Sequence, residues 1–293
     1  MSNENSSKDV KIPKSREIYY YVLMGHIYYW INNLLLKRLK SNSTIGNNNL
    51  QDNQNNQNQT NETRLKLDII KEIPGSDITK NIEIMSYIPE NSLNNRILDA
   101  TKKGSPLITI GDGSKPRVMI TAGVHGNELP PQIAALKLVN YLQNINLRGT
   151  IYIIPFIAPV ASAENSKLFN NENLNLAADV TGSPTNMAFK IAQNLDITSL
   201  ADCHGTSTDP AKTSVIYYPS IKSSKIAVYI NRKSHSTLLA LAQEPGMLIT
   251  LCNLHEIPSV ICEVESPDGV ASPESIEVSY NQMKAFLSYH HVL

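Results

Sequence analysis

Two side chains that can bind a metal ion, His125 and Glu128, lie three positions apart directly after an apolar run at residues 118–122. Imidazole nitrogens and carboxylate oxygens are ordinary ligands of zinc, and a catalytic zinc site combines three protein ligands with one position for water. Gly123 and Gly126 flank the histidine, and glycine lets a backbone turn sharply or approach another group closely. The alternative interpretation is a polar loop in which Glu128 caps the following helix.

A second histidine, His204, supplies the third candidate ligand. It follows a predicted strand at residues 199–203 and precedes Gly205. Like His125, it therefore lies after a predicted strand and next to a glycine. Asp202, two positions before it, is either a hydrogen-bond partner of a metal-ligating histidine or an acidic residue at a strand end.

A possible general base lies in the apolar segment at residues 260–264. A carboxylate buried in such a segment is costly unless it is paired or has a function. Glu263 and Glu265 are two positions apart and therefore face the same side of a strand, so strand alternation does not choose between them. The alternatives are that Glu263 is a paired core carboxylate and that Glu265 is an acidic residue at the strand end.

Other reactive side chains lack a supporting motif. Cys203 and Ser207 suggest nucleophilic catalysis, but neither lies in a Gly-x-Ser-x-Gly turn or beside a recognisable base. Tyr217 and Tyr218 could line a pocket, although packing within a strand is the simpler interpretation.

The elements that must position these residues alternate between strand and helix from residue 117 onward. Such alternation predicts an α/β fold with a mostly parallel mixed sheet flanked by helices. Sites in such sheets form at the carboxyl ends of the strands. We expect short strands and turns at 64–117 and irregular structure at 156–183. We predict strands at 118–122, 150–155, 199–203, 215–218, 247–252 and 260–264, and helices at 130–142, 184–194, 224–242 and 273–289.

The composition of the 293-residue chain excludes some classes of function. Lys+Arg and Asp+Glu both number 26, so no basic excess favours nucleic acid as a partner. The three cysteines are an odd number without metal-finger spacing. They favour a reducing, cytoplasmic compartment over a disulfide scaffold.

Residues 1–63 differ in composition from the rest of the chain. Within the tail at 1–40, residues 18–36 lack Asp, Glu, Lys and Arg and are rich in tyrosine. They predict an aromatic helix that packs on the domain or a partner, with a membrane anchor as the alternative. The Asn/Gln-rich segment at 41–63 predicts a disordered linker. We therefore place one folded domain at 64–293.

Three segments, at 122–128, 202–205 and 261–264, together resemble the succinylglutamate desuccinylase/aspartoacylase family. This family belongs to the zinc carboxypeptidase-like hydrolases, and the resemblance covers about residues 108–290. It implies a carboxypeptidase-like fold and one zinc ion bound by His125, Glu128 and His204. It also implies that Glu263, rather than Glu265, is the general base for metal-activated water in amide hydrolysis.

The chain departs from this family on the substrate side. The family usually has a Leu-Asn-Arg motif that binds a substrate carboxylate, whereas this chain has Leu174-Asn175-Leu176. Asn175 is retained, but an aliphatic chain cannot replace a bidentate guanidinium group. Lys167 is the nearest candidate for the family's second arginine, with a solvated loop lysine as the alternative. We expect a substrate other than an N-acyl acidic amino acid bound in the usual way.

These observations predict a zinc-dependent, deacylase-like amide hydrolase that acts on a small molecule. One alternative is a metallocarboxypeptidase or amidase that acts on short peptides, including cell-wall peptides if the N-terminal segment places it at the envelope. A second alternative is a non-catalytic binding module with a decayed site.

Overall fold

The structure is a computed structural model that describes residues 65–207, 213–241 and 244–293. The predicted aromatic helix, the predicted linker and the first residue of the predicted domain, residue 64, lie outside these ranges, so they stay predictions. No helix in the described ranges is both long enough and apolar enough to span a membrane.

Eight strands and eight α-helices occur in the described residues. The strands are β1 (Leu65–Ile70), β2 (Ser105–Gly111), β3 (Arg117–Ala122), β4 (Thr150–Ile154), β5 (Ser199–Thr206), β6 (Ser214–Tyr217), β7 (Thr237–Ala240) and β8 (Ser259–Glu265). The helices are α1 (Ile82–Met85), α2 (Ser92–Thr101), α3 (Leu129–Leu142), α4 (Pro159–Ala163), α5 (Pro184–Asn194), α6 (Ile221–Ser234), α7 (Leu248–Leu254) and α8 (Pro273–Tyr289). Two short 3-10 helices occupy Ile78–Lys80 and Leu174–Leu176.

The strands form one sheet in the order β1-β2-β4-β3-β5-β8-β6-β7. Its centre is parallel, because β3 pairs in parallel with both β4 and β5, and β5 pairs in parallel with β8. Antiparallel pairs join β1 to β2, β2 to β4, and β6 to β8. The predicted mostly parallel mixed sheet flanked by helices is confirmed.

Two hydrophobic clusters cover the two faces of the sheet. Successive residues of a strand point to opposite faces, and along β3 Val118 and Ile120 enter one cluster while Met119 enters the other. The first cluster includes residues of α2, α3, α6 and α8, and the second includes residues of α5 and α7. The central strands are therefore buried on both faces, which explains their almost continuously apolar sequences.

Proline and serine mark the helices whose bounds follow most clearly from the sequence. Ser183 accepts a hydrogen bond from Asn186 N, and Pro184 occupies the first helical position of α5. Ser272 and Ser275 form a capping box at the start of α8. Since proline lacks the backbone N–H that a first turn leaves unpaired, it fits these positions, and the predicted bounds of both helices are confirmed.

Three sequence interpretations are wrong. Residues 247–252 were predicted as a strand, but Leu248–Leu254 forms the buried helix α7, because a short apolar run does not distinguish a buried strand from a buried helix. The helix predicted at 224–242 ends at Ser234, where His235 adopts a left-handed conformation with φ 53°, and β7 follows. Within 64–117, residues 92–101 form a helix that was not predicted.

Candidate metal centre

Three neighbouring central strands, β3, β5 and β8, bring the candidate residues together near the carboxyl ends of these strands. His125 and Glu128 lie in the connection from β3 to α3, and His204 and Glu263 lie opposite each other in the register of β5 and β8. His204 lies inside β5, which extends to Thr206, and not after its end as the sequence suggested.

The connection between β3 and α3 packs closely against α4 and is hydrogen-bonded to a side chain of α3. Gly123 has φ 75°, a left-handed conformation that favours glycine. A Cβ atom added to Gly126 would lie 2.0 Å from the carbonyl carbon of Ala161 in α4. The side-chain amide of Gln132 donates to the carbonyl oxygens of Gly126 and Glu128, at 3.0 and 2.8 Å. The position of the His125–Glu128 pair is therefore set from both neighbouring helices.

His125, Glu128 and His204 each place one ligand atom within 4.8 Å of the others. Glu128 lies between the two histidines, with Oε1 2.6 Å from His125 Nδ1 and Oε2 2.9 Å from His204 Nδ1. Its Oε2 also accepts a hydrogen bond from Gly205 N at 3.1 Å. All three side chains are buried. Although Glu128 occupies the N-cap position of α3, its side chain makes no capping hydrogen bond, so the capping alternative is wrong.

The charges of this cluster compensate one another. Burial raises the pKa of the Glu128 carboxyl, but the charges of His204 and His125 and the hydrogen bonds from both rings outweigh burial and lower this pKa to about 2. Burial lowers the pKa of His204, but the charges of Asp202 and Glu128 outweigh it and hold this pKa well above its ordinary value. Two imidazole nitrogens that converge with an ionised carboxylate are a donor set suited to a divalent zinc ion.

The outward-facing nitrogens of the two histidines have different partners. His125 Nε2 lies 2.8 Å from Asn173 Oδ1, and His204 Nε2 lies 3.1 Å from Asp202 Oδ2. The hydroxyl of Thr121 donates to the second oxygen of Asp202 at 2.7 Å. The sequence suggested Asp202 for such a role but gave no indication of Thr121 or Asn173, whose contacts join distant segments.

Glu263 and Glu265, which the sequence pattern did not separate, have different environments. Glu265 is exposed, whereas Glu263 is half-buried and its Oε2 atom is fully buried without a hydrogen-bond partner in the described structure. Burial is the largest influence on the Glu263 carboxyl, and despite the opposing charge of His204 its pKa rises to about 7. A carboxyl group with a pKa near neutrality is suited to accept and return a proton.

Of the two predicted substrate-binding residues, Asn175 lies close in sequence to a partner of His125, whereas no hydrogen bond or ion pair within the described ranges links Lys167 to this cluster. Asn175 and Leu176 belong to the 3-10 helix directly after Asn173, and Leu176 is 47% exposed. Lys167 is exposed, and among the described residues it makes no ion pair with Glu128 or Glu263. The structure thus brings together the proposed metal ligands and Glu263, whereas no ion pair in the described part of the chain joins Lys167 to either carboxylate.

Comparisons with known proteins identify the family that this chain resembles. Residues 114–250 match the sequence model of the succinylglutamate desuccinylase/aspartoacylase catalytic domain, so the resemblance seen in the sequence is confirmed. A search of curated proteins gives no match.

Two similar solved structures show the same fold at low sequence identity. One is the product-bound ectoine utilization protein EutE from Ruegeria pomeroyi, with 17% identity and a TM-score of 0.57, covering 67% of this chain and 64% of that one. The other is an aspartoacylase family protein from Mesorhizobium loti, with 20% identity and a TM-score of 0.56, covering 78% and 68%. This chain thus spans less than two thirds of the length of the first of these proteins.

Proposed function

We propose that this protein is a zinc-dependent hydrolase of amide bonds. Residues 114–250 match the succinylglutamate desuccinylase/aspartoacylase catalytic domain. That family is hydrolytic. The observation that carries the proposal is that His125, Glu128 and His204 place ligand atoms within 4.8 Å of one another, with Glu263 in register beside His204.

The proposed roles follow from the contacts of each side chain. His125 and His204 would bind one zinc ion through Nδ1, and Glu128 would bind it through its carboxylate. When bound, zinc supplies a Lewis acid that lowers the pKa of water and polarises a carbonyl group. The Glu263 carboxylate accepts one proton from the attacking water as the new carbon–oxygen bond forms. It then donates that proton to the nitrogen of the leaving amine as the carbon–nitrogen bond breaks.

The residues expected to contact the substrate support a deacylase-like reaction on a small molecule. This small molecule would not be bound through the arginine–carboxylate contact that is usual in the family. Leu176 presents an exposed aliphatic chain where the family's motif has an arginine. We assign Asn175 and Lys167 as substrate-binding candidates, Asn175 as a hydrogen-bonding group and Lys167 as a single positive charge. The substrates favoured by these residues are N-acyl compounds other than N-acyl acidic amino acids bound in the usual way.

The test compares zinc content and hydrolysis in matched variants. Purified protein should hold about one zinc ion per chain, and His204→Ala should lose it. A screen of N-acyl amino acids and short peptides should yield a substrate, and Glu263→Gln should lower kcat for it by at least about 100-fold. Glu265→Gln, on the same strand but exposed, is the control and should retain activity.

Each contrary result has a distinct meaning. Unchanged hydrolysis in Glu263→Gln would refute the proposed role of that residue. Bound zinc without hydrolysis of any acyl compound or peptide would instead favour the binding-module alternative. Preference for short peptides over N-acyl amino acids would favour the metallocarboxypeptidase alternative.

A further inference from the structure

Glu263 has a second neighbour in the sheet besides His204. In the antiparallel register of β6 and β8, Ser214 lies directly opposite Glu263, while His204 lies opposite it on the other side, in β5. The next pair along β6 and β8, Val215 and Cys262, belongs to the first hydrophobic cluster. Because successive residues of a strand point to opposite faces, Ser214 and Glu263 both point to the other face of the sheet.

Both of these side chains carry a fully buried oxygen atom without a partner. Among the described residues, neither Ser214 Oγ nor Glu263 Oε2 forms a hydrogen bond. Ser214 as a whole is completely buried, whereas Glu263 is partly exposed. A buried polar atom without a partner is costly and is rare in native proteins. Two such atoms on directly opposite residues therefore need an explanation.

The nearby imidazole is already engaged with other groups. His204 Nδ1 lies 2.9 Å from Glu128 Oε2, and His204 Nε2 lies 3.1 Å from Asp202 Oδ2. The Ser214 hydroxyl, by contrast, has a proton to donate and no acceptor within the described ranges. It is therefore a donor on the correct face of the sheet for the unpaired carboxyl oxygen.

Rotation of one side chain completes the contact between the two residues. Directly opposite residues of an antiparallel pair have Cβ atoms about 4.5–5.5 Å apart, a gap that a serine hydroxyl and a glutamate carboxyl together can close. The hydroxyl changes direction by rotation about the Cα–Cβ bond between staggered positions. Gln282 Nε2 donates to the carbonyl oxygens of Ser214 and Glu263, at 3.2 and 3.0 Å. The backbone of the pair is thus held in place while the hydroxyl turns.

We propose that Ser214 is a positioning residue that donates a hydrogen bond to Glu263 Oε2 and thereby fixes the direction of the carboxylate. This inference rests on the proposed hydrolytic role of Glu263 and adds to it a residue from a strand outside the metal cluster. With one oxygen held by the hydroxyl, the other oxygen, Oε1, is left to accept and return the proton. A carboxylate that rotates freely spends time in directions that do not serve proton transfer, so loss of the hydroxyl lowers kcat.

The first experiment locates the hydrogen bond without a measurement of activity. A crystal structure of the full chain grown with zinc should place Ser214 Oγ about 2.5–3.0 Å from a carboxylate oxygen of Glu263. A Ser214 hydroxyl that contacts a different group would overturn the inference. Absence of zinc between His125, Glu128 and His204 would overturn the proposed metal site, and the same structure would still report the Ser214 contact.

The second experiment measures hydrolysis of a panel of N-acetyl amino acids by the zinc-loaded wild type and its variants. Ser214→Ala should lower kcat about 10–100-fold, as expected for a hydrogen bond to a charged group. Its KM and zinc content should stay unchanged, and Ser214→Thr, which retains the hydroxyl, should retain most of kcat. Ser199→Ala is the control, because Ser199 in β5 is equally buried and its hydroxyl donates to Pro258 O at 2.7 Å. This control should retain wild-type kcat.

A double substitution separates positioning of Glu263 from a merely structural effect. In Glu263→Gln the carboxylate that takes the proton is absent, so the addition of Ser214→Ala should cause no further loss of kcat. The same fold-loss in both backgrounds would overturn the inference, because the hydroxyl would then act without the carboxylate. Wild-type kcat in Ser214→Ala alone would overturn it as well. Absence of hydrolysis by the wild type would instead refute the proposed function, and the crystallographic distance would still test the hydrogen bond.

Discussion

Replacement of Glu263 by glutamine should stabilise the metal-free protein, and the gain should depend on pH. The Glu263 carboxyl is held in a buried position that raises its pKa from 4.5 to about 7. An unfolded chain ionises the same group near its ordinary pKa, so ionisation favours the unfolded state. At about 1.4 kcal/mol for each pKa unit, the ionised carboxylate weakens the fold by about 3 kcal/mol.

The pH range follows from the direction of the shift. Below the unfolded pKa, Glu263 is protonated in both states and carries no penalty. As the pH rises through the folded pKa, the stability associated with the protonated group is lost. The glutamine variant has no such titration. The difference in free energy of unfolding between the variant and the wild type should therefore grow from under about 1 kcal/mol at about pH 5 to about 3 kcal/mol at about pH 8.5.

Urea denaturation of both proteins in the presence of a chelator, across this pH range, measures the difference. Glu265→Gln provides the control, since Glu265 lies on the same strand but is exposed, and its difference from wild type should not grow with pH in this way. A difference for Glu263→Gln that is the same at both ends of the range would refute the reasoning. A variant less stable than wild type at alkaline pH would refute it as well.

Three further predictions concern the surroundings of the site. Thr121→Val removes the hydroxyl that donates to Asp202 and should cost about 1–3 kcal/mol in urea denaturation. Thr121→Ser keeps the hydroxyl and loses only one buried methyl group, so it should cost less, about 1 kcal/mol; a larger loss in Thr121→Ser than in Thr121→Val would contradict this reasoning. Gly126→Ala forces a Cβ atom against the backbone of Ala161 and should cost at least about 2 kcal/mol; unchanged stability would show that this contact relaxes easily. Leu176→Arg should raise kcat/KM for N-acyl aspartate about tenfold or more, and no gain would place residue 176 away from the substrate.

Much of the fold could be predicted because local signals agreed with the tertiary structure. The helix starts at Pro184 and Pro273 are fixed by serine caps and by proline, which act within one turn. The apolar residues of β3 and β5 predicted central strands because both faces of those strands are buried. The strand prediction for residues 247–252 is wrong because apolar side chains indicate only that a segment is buried. A central strand and the helix α7 are both buried.

The candidate site was predictable to the extent that its residues lie beside glycines and strand ends. His125, Glu128 and His204 carry such signals, and the structure brings them together. Asn173 carried none, because its contact with His125 joins residues 48 positions apart in the chain. Strand alternation likewise did not choose between Glu263 and Glu265, since both face the same side of β8. The family resemblance favoured Glu263, and the structure adds that Glu263 is the less exposed of the two.

The separation of the ligands along the chain has a consequence for how the protein folds. His125 and Glu128 are neighbours in sequence, but His204 lies 76 positions beyond Glu128 and reaches the site only when β5 has paired with β3. Parallel pairing of distant segments must close long loops before its contacts form, so it slows folding. A complete set of candidate ligands therefore exists only after the centre of the sheet has assembled. If the site binds zinc as proposed, zinc present during folding would favour the fully paired sheet over partly assembled chains, since a site that is absent from the unfolded state converts binding free energy into folding free energy.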